Sequence, residues 1–166
     1  MKTKTLEDLF YDGLKDILYA ERKILKALPK MARGAESPDA KAAFEKHRDE
    51  TEGQIERLQQ VFEILGKRAQ GKTCPAIDGI IEEGEEILEE YKKSPALDAG
   101  LIAAAQAVEH YEIARYGTLK RWASLLNLAD AANLLDQNLQ EEFKTDEALN
   151  ILADGKANER ALQAAE

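Results

Sequence analysis

Beyond Pro95 the chain runs 71 residues to its end without another proline, and the other three prolines stand at 29, 38 and 75. Proline is the residue that most firmly ends a helix or removes a rung from a sheet. Long stretches are therefore left to the preferences of their other residues. Ala, Leu, Glu and Lys are prominent there, and these lose least on entering a helix. Apolar side chains recur at intervals of three and four: Leu14, Ile17, Leu18, Ile24, Leu25 and Leu28, then Phe44, Ile55, Leu58, Val61, Phe62 and Leu65. The pattern predicts an all-α protein.

Helix boundaries follow from caps and breakers. A first helix is expected from about Thr5 to Arg33, with Pro29 kinking or loosening its last turns. Ser37-Pro38 supplies an N-cap followed by proline at the first helical position, and the second helix should stop near Gly66. Lys67 to Thr73 reads as a basic loop, and Cys74-Pro75 opens a short helix to about Tyr91. Ser94-Pro95 repeats the cap-and-proline signal for a fourth helix ending near Leu126, with Asn127 as its cap. A fifth runs from about Ala129 into the C-terminal tail. The order is long, long, short, long, long. Short turns make neighbours antiparallel, so residues 5–66 and 95–160 form two helical hairpins, and residues 67–94 cross between them. With 166 residues one domain, spanning 1–166, is expected. A four-helix bundle with one long crossover, here carrying a short fifth helix, is the ferritin-like topology.

Charged residues make up 33% of the chain and the formal net charge is −9. That sign disfavours nucleic acid and anionic membranes as partners, since both need a basic surface. Cys74 is the single cysteine, so no internal disulfide can form and a reducing compartment fits. The first ten residues, MKTKTLEDLF, hold no apolar run suited to a signal peptide or a membrane span. A cytoplasmic location is the expectation.

The chemistry lies where charge interrupts the apolar stripes. Glu21 follows Leu14 and Ile17 and precedes Ile24 and Leu28 at spacings that share one helix face. Glu50 has His47 one turn before it and Leu58, Val61 and Leu65 beyond. Glu109 follows Ile102 and Ala105, with Glu112 one turn on and Tyr116 two. Glu142 sits among Leu135, Leu139 and Leu149, with Thr145 and Asp146 one turn on. One such glutamate is ordinarily a snorkelling or ion-paired side chain. Four near the middles of four antiparallel helices meet at one level, where their charges repel strongly unless neutralised. A pair of metal ions resolves that repulsion, with carboxylates bridging and capping. The separations Glu21–Glu50, 29 residues, and Glu109–Glu142, 33 residues, suit hairpins that return to their starting level. His110 lies about a quarter turn from Glu109 and reads as a surface histidine, while Tyr19, Tyr111 and Tyr116 read as core or supporting residues. The acidic run Glu82 to Glu90 reads as a solvated face.

Four segments carry a resemblance: LEDLFYDGLKDILYAERKILKAL, HRDETEGQIERL, GLIAAAQAVEHYEIARYGTLKRWA and LQEEFKTDEAL. Through them the chain resembles the YciF/YciE group of bacterial ferritin-like proteins over nearly its whole length. More distantly, Glu109 with Glu112 is similar to the Glu-x-x-Glu of rubrerythrin centres. The resemblance implies a homodimer, a link to stress responses and a dinuclear iron or manganese centre. Glu21, Glu50, Glu109 and Glu142 match its leading ligands, and Glu112 its additional carboxylate. Where Glu-x-x-His would place histidines, this chain has Gly53 and Thr145. His47, Asp146 and Glu112 are the candidate substitutes, with a place behind the ligands as the alternative for His47 and Asp146. Such an oxygen-rich set suits hard ions, Mg²⁺ and Ca²⁺ included.

The sequence therefore predicts a di-metal protein, a candidate oxidoreductase acting on peroxide or Fe²⁺. The alternative is a structural or interaction bundle with a relic, redox-inactive carboxylate site. A hollow iron-storage shell and DNA protection are weaker readings.

Overall fold

The computed structural model describes residues 3–163. Five helices carry the fold: α1 Leu6–Gly34, α2 Pro38–Ile64, α3 Pro75–Glu90, α4 Leu97–Leu125 and α5 Ala129–Leu152. Among the described residues there is no strand. Thr5 and Asp8 close a reciprocal capping box at the head of α1. Ser37 accepts from the Ala40 N–H, and Pro38 takes the first position of α2, where its missing N–H costs nothing. Cys74 and Pro75 repeat the device at α3, with the sulfur as acceptor.

Two boundaries differ from expectation. Ser94-Pro95 does not cap α4, which begins at Leu97 behind Ala96 without a side-chain cap. Lys93 adopts a left-handed conformation, φ 64°, that turns the chain sharply out of α3. The Ser94 hydroxyl then accepts from the Ala96 N–H, 3.1 Å, and serves the turn instead of the helix. Beyond α5 the chain widens into a π-helical turn, Ala153–Ala157, before a last α-helical turn, Asn158–Ala161. Pro29 does not end α1, which continues to Gly34 with Leu28 and Ala32 buried on either side. Asn127, at φ 59°, is the left-handed residue just past the cap of α4.

The long helices pack in a ring, α1 against α2, α2 against α5, α5 against α4 and α4 against α1. α3 lies outside on α1 and α4. It runs parallel to α1, as shown by Tyr19 with Asp78 (2.9 Å) and Lys30 with Glu85 (3.0 Å) one after the other along both helices. The crossover returns the chain to the end of the bundle where α1 finished, so α2 and α4 point the same way and ring neighbours are antiparallel. Glycine permits the close fit. A Cβ on Gly34 would fall 2.3 Å from the Leu88 Cδ2, and one on Gly100 would fall 2.8 Å from the Ile87 Cγ2.

Asp98, buried in the first turn of α4, accepts from the N–H groups of Glu36 and Ser37, both at 2.8 Å. One carboxylate thus ties the far hairpin to the α1–α2 turn. Asp98→Ala removes two charge-assisted bonds and leaves both donors without a partner. We expect a loss of about 2–3 kcal/mol in urea unfolding with an unchanged helical spectrum.

Candidate metal centre

Glu21, Glu109, Glu112 and Glu142 have no exposed surface, and His47 keeps 3%. They come from all four long helices: α1 supplies Glu21, α2 His47, α4 Glu109 and Glu112, and α5 Glu142. The 3–4 repeat that makes each helix amphipathic also turns these residues inward. His47, Glu109, Glu112 and Glu142 each offer one ligand atom, and those atoms lie within 4.8 Å of one another. His47 Nδ1 stands 2.9 Å from Glu109 Oε1. The approach does not have hydrogen-bond geometry, and among the described residues both Glu109 oxygens lack a hydrogen-bond donor outside the carboxyl cluster. So do both oxygens of Glu112 and one each of Glu21 and Glu142. Buried polar atoms are nearly always paired in proteins, so unpaired oxygens converging beside an imidazole point to a group that would sit among them. The donor set, one nitrogen with several carboxylates, fits hard divalent or trivalent ions.

Supporting contacts hold two of the glutamates. The Tyr116 hydroxyl, fully buried, donates to Glu21, and the Gln54 amide donates to Glu142. Behind Gln54 stands a polar cluster. Arg57 donates to Asn138 Oδ1 (2.7 Å) and to Glu141 (3.0 Å), and the Asn138 amide donates to the Gln54 carbonyl (3.3 Å).

Burial sets the protonation of the cluster. It pushes Glu21 up to about 8, with the Glu142 charge adding to it, against hydrogen bonding from Glu112 and Tyr116 and the pull of His47. Glu109 is likewise raised by burial to about 8; hydrogen bonding with Glu142 opposes the shift, while the charges of Glu21, Asp146 and Glu50 add to it. Glu112 and Glu142 are also raised, first by burial. Carboxyl groups so close hold protons between them or require a cation in their place.

The remaining sequence candidates lie at the margin. Glu50 is on the flank of α2, its side chain 25% exposed, accepting from the Thr145 hydroxyl at 3.1 Å and facing Lys46 at 3.5 Å. Asp146 pairs with the exposed His110 at 3.2 Å and keeps one buried oxygen unpartnered. Both are near enough for their charges to act on Glu109. Tyr19 and Tyr111 lie away from the cluster, bonded to Asp78 and to Asp16. The glutamates of α3, from Glu82 to Glu90, are exposed. Sequence reasoning missed Thr51, Gln54 and Asn138, all buried. A signal for two of them existed. Phe44, His47, Thr51, Gln54, Leu58 and Val61 alternate spacings of three and four, a stripe that leaves Glu50 on its flank.

Comparison with known proteins agrees with this geometry at the level of family and fold. The model of the family called Domain of unknown function (DUF892) matches residues 5–162. Protein YciF of Escherichia coli strain K12 is 44% identical over 162 residues, covering 97% of this chain and 98% of that protein. The crystal structure of E. coli YciF, described as a stress protein, superposes with a TM-score of 0.90 at 44% identity over 94% of this chain and 99% of that one. YcfI from Rhodopseudomonas palustris superposes at 0.86 with 50% identity, covering 89% and 94%. No helix among the described residues is long and apolar enough to cross a membrane.

The buried carboxyls give the metal-free protein a pH dependence of definite sign. The folded state keeps protons on Glu21 and Glu109 up to about 8, whereas the unfolded chain releases them near 4.5. Their contribution is fully present below pH 4.5 and is lost as pH rises toward 8. Between pH 5 and 8 the melting temperature of metal-free protein should fall, and Glu109→Gln should flatten that slope in thermal scans.

Proposed function

This chain belongs to the DUF892 family, and we propose that it is a metal-binding bundle holding two ions, iron or manganese, between its four long helices. The observation that carries this reading is the convergence of His47, Glu109, Glu112 and Glu142, with carboxylate oxygens that meet no donor outside the cluster among the described residues. These four would be ligands. Glu21 and Glu50 would complete the set on α1 and α2, with Asp146 beside Glu109. Tyr116 and Gln54 fix the angles of Glu21 and Glu142, so the carboxylates are presented already oriented. Bound iron or manganese would supply electron exchange with peroxide or oxygen. Mg²⁺ or Ca²⁺ would fit the same donors without it. The stress description of the E. coli relative supports a role in stress response. We place the protein in the cytoplasm as a homodimer.

A second reading has its own support. With Glu21 and Glu109 raised to about 8, shared protons can neutralise the cluster at neutral pH, and the bundle then serves as a structural or interaction module.

Metal reconstitution separates the two. Protein stripped of metal and dialysed against Mn²⁺ or anaerobic Fe²⁺ should retain about two ions per chain. At 100 times the dissociation constant each bound ion adds about 2.7 kcal/mol, so two ions should raise melting by roughly 10–20 °C. Glu109→Gln combined with Glu142→Gln should abolish the rise while leaving the metal-free protein at least as stable above pH 7. Fewer than one ion per chain in the wild type would favour the structural module.

A further inference from the structure

A cavity of about 30 Å³ lies between α1, α3 and α4. Its walls are apolar: Ile24, Leu28 and Met31 from α1, Ile81 from α3, and Ala105 and Val108 from α4. At the inner end α2 contributes the His47 ring. At the outer end stand Lys30 and Glu85, paired at 3.0 Å with side chains 59% and 49% exposed. The cavity therefore leads from an exposed ion pair to the imidazole that borders the carboxylate cluster.

Its size and lining restrict what can occupy it. The volume holds one water-sized or diatomic molecule. Water needs two to four polar partners, and the inner wall offers only the imidazole, whose Nδ1 faces Glu109 and whose buried Nε2 has no partner. A cation finds no carboxylate inside the mouth, whereas Glu50 and Asp146 on another side of the cluster are partly exposed and close to Glu109. An uncharged diatomic molecule meets neither obstacle. Small residues keep the bore open: Ala27 on α1, Gly84 on α3 and Ala104 on α4. A Cβ on Gly84 would already stand 3.5 Å from the Ala104 methyl, in full contact.

We propose that this cavity is the passage and holding site for an uncharged diatomic molecule of dioxygen's size, delivered to the His47 side of the carboxylate cluster. Ala27, Gly84 and Ala104 set its size limit. The destination rests on the reading of that cluster as a metal centre, and the cavity's occupancy does not.

Two measurements test it, on wild type, Ala27→Leu and Ala104→Leu. Leucine suits a helix, the two sites lie on different helices, and circular dichroism identifies any variant that misfolds. Xenon-pressurised crystals of metal-free protein should show xenon in the wild-type cavity and none in the variants. Nitric oxide, an uncharged diatomic probe, should bind Fe²⁺-loaded variants at least tenfold more slowly at unchanged iron per chain. An empty wild-type cavity under xenon overturns the proposal. So do equal nitric oxide rates in variants that exclude xenon. If no iron is taken up, the metal reading fails instead, and xenon occupancy alone decides whether the cavity is a binding site.

Discussion

A carboxylate moved from water into a protein interior loses solvation worth several kcal/mol, and this bundle makes that move at Glu21, Glu109, Glu112 and Glu142 together. Their mutual repulsion adds to the cost, because little water is present to screen it. Much else in the structure answers to that constraint. The helices that bear the acids are long, so layers of apolar side chains above and below the cluster supply the cohesion it lacks. Tyr116 and Gln54 each satisfy one oxygen, and further oxygens are left to protons or a cation.

The surroundings of the cluster are unequal. On the α2–α5 side Gln54, Asn138, Arg57 and Glu141 form a polar layer that fixes Glu142 from behind. Glu50, Thr145 and Asp146 also border it, within reach of water. On the α1–α4 seam the lining is apolar, and α3 covers it. The crossover is thus more than a connection. By lying across that seam it shuts out water, which strengthens the electrostatics within, and it does so on glycines that let it sit close.

Much of this was legible in the sequence because helical periodicity states which residues share a face. Glu21, Glu109, Glu112 and Glu142 break apolar stripes, and the structure finds all four fully buried. On α2 the register was anchored on Glu50, whose offset from Leu58 and Val61 is close to the stripe but not on it, and Glu50 lies at the flank. His47 occupies the stripe and reaches the cluster. Gln54 and Asn138 were harder, because a neutral amide is commonest on surfaces and nothing local marks it as buried. Asp98 lay beyond sequence reasoning for another reason. Its partners stand more than sixty residues away, and only the crossover brings them together.

The central claim is that the unpaired oxygens at mid-bundle are arranged for metal. Crystals grown with Mn²⁺, with data collected at the manganese absorption edge, test it directly. Two anomalous peaks are predicted among Glu109, Glu112, Glu142 and His47. Ordered side chains with no anomalous peak between them, at saturating Mn²⁺, would contradict it.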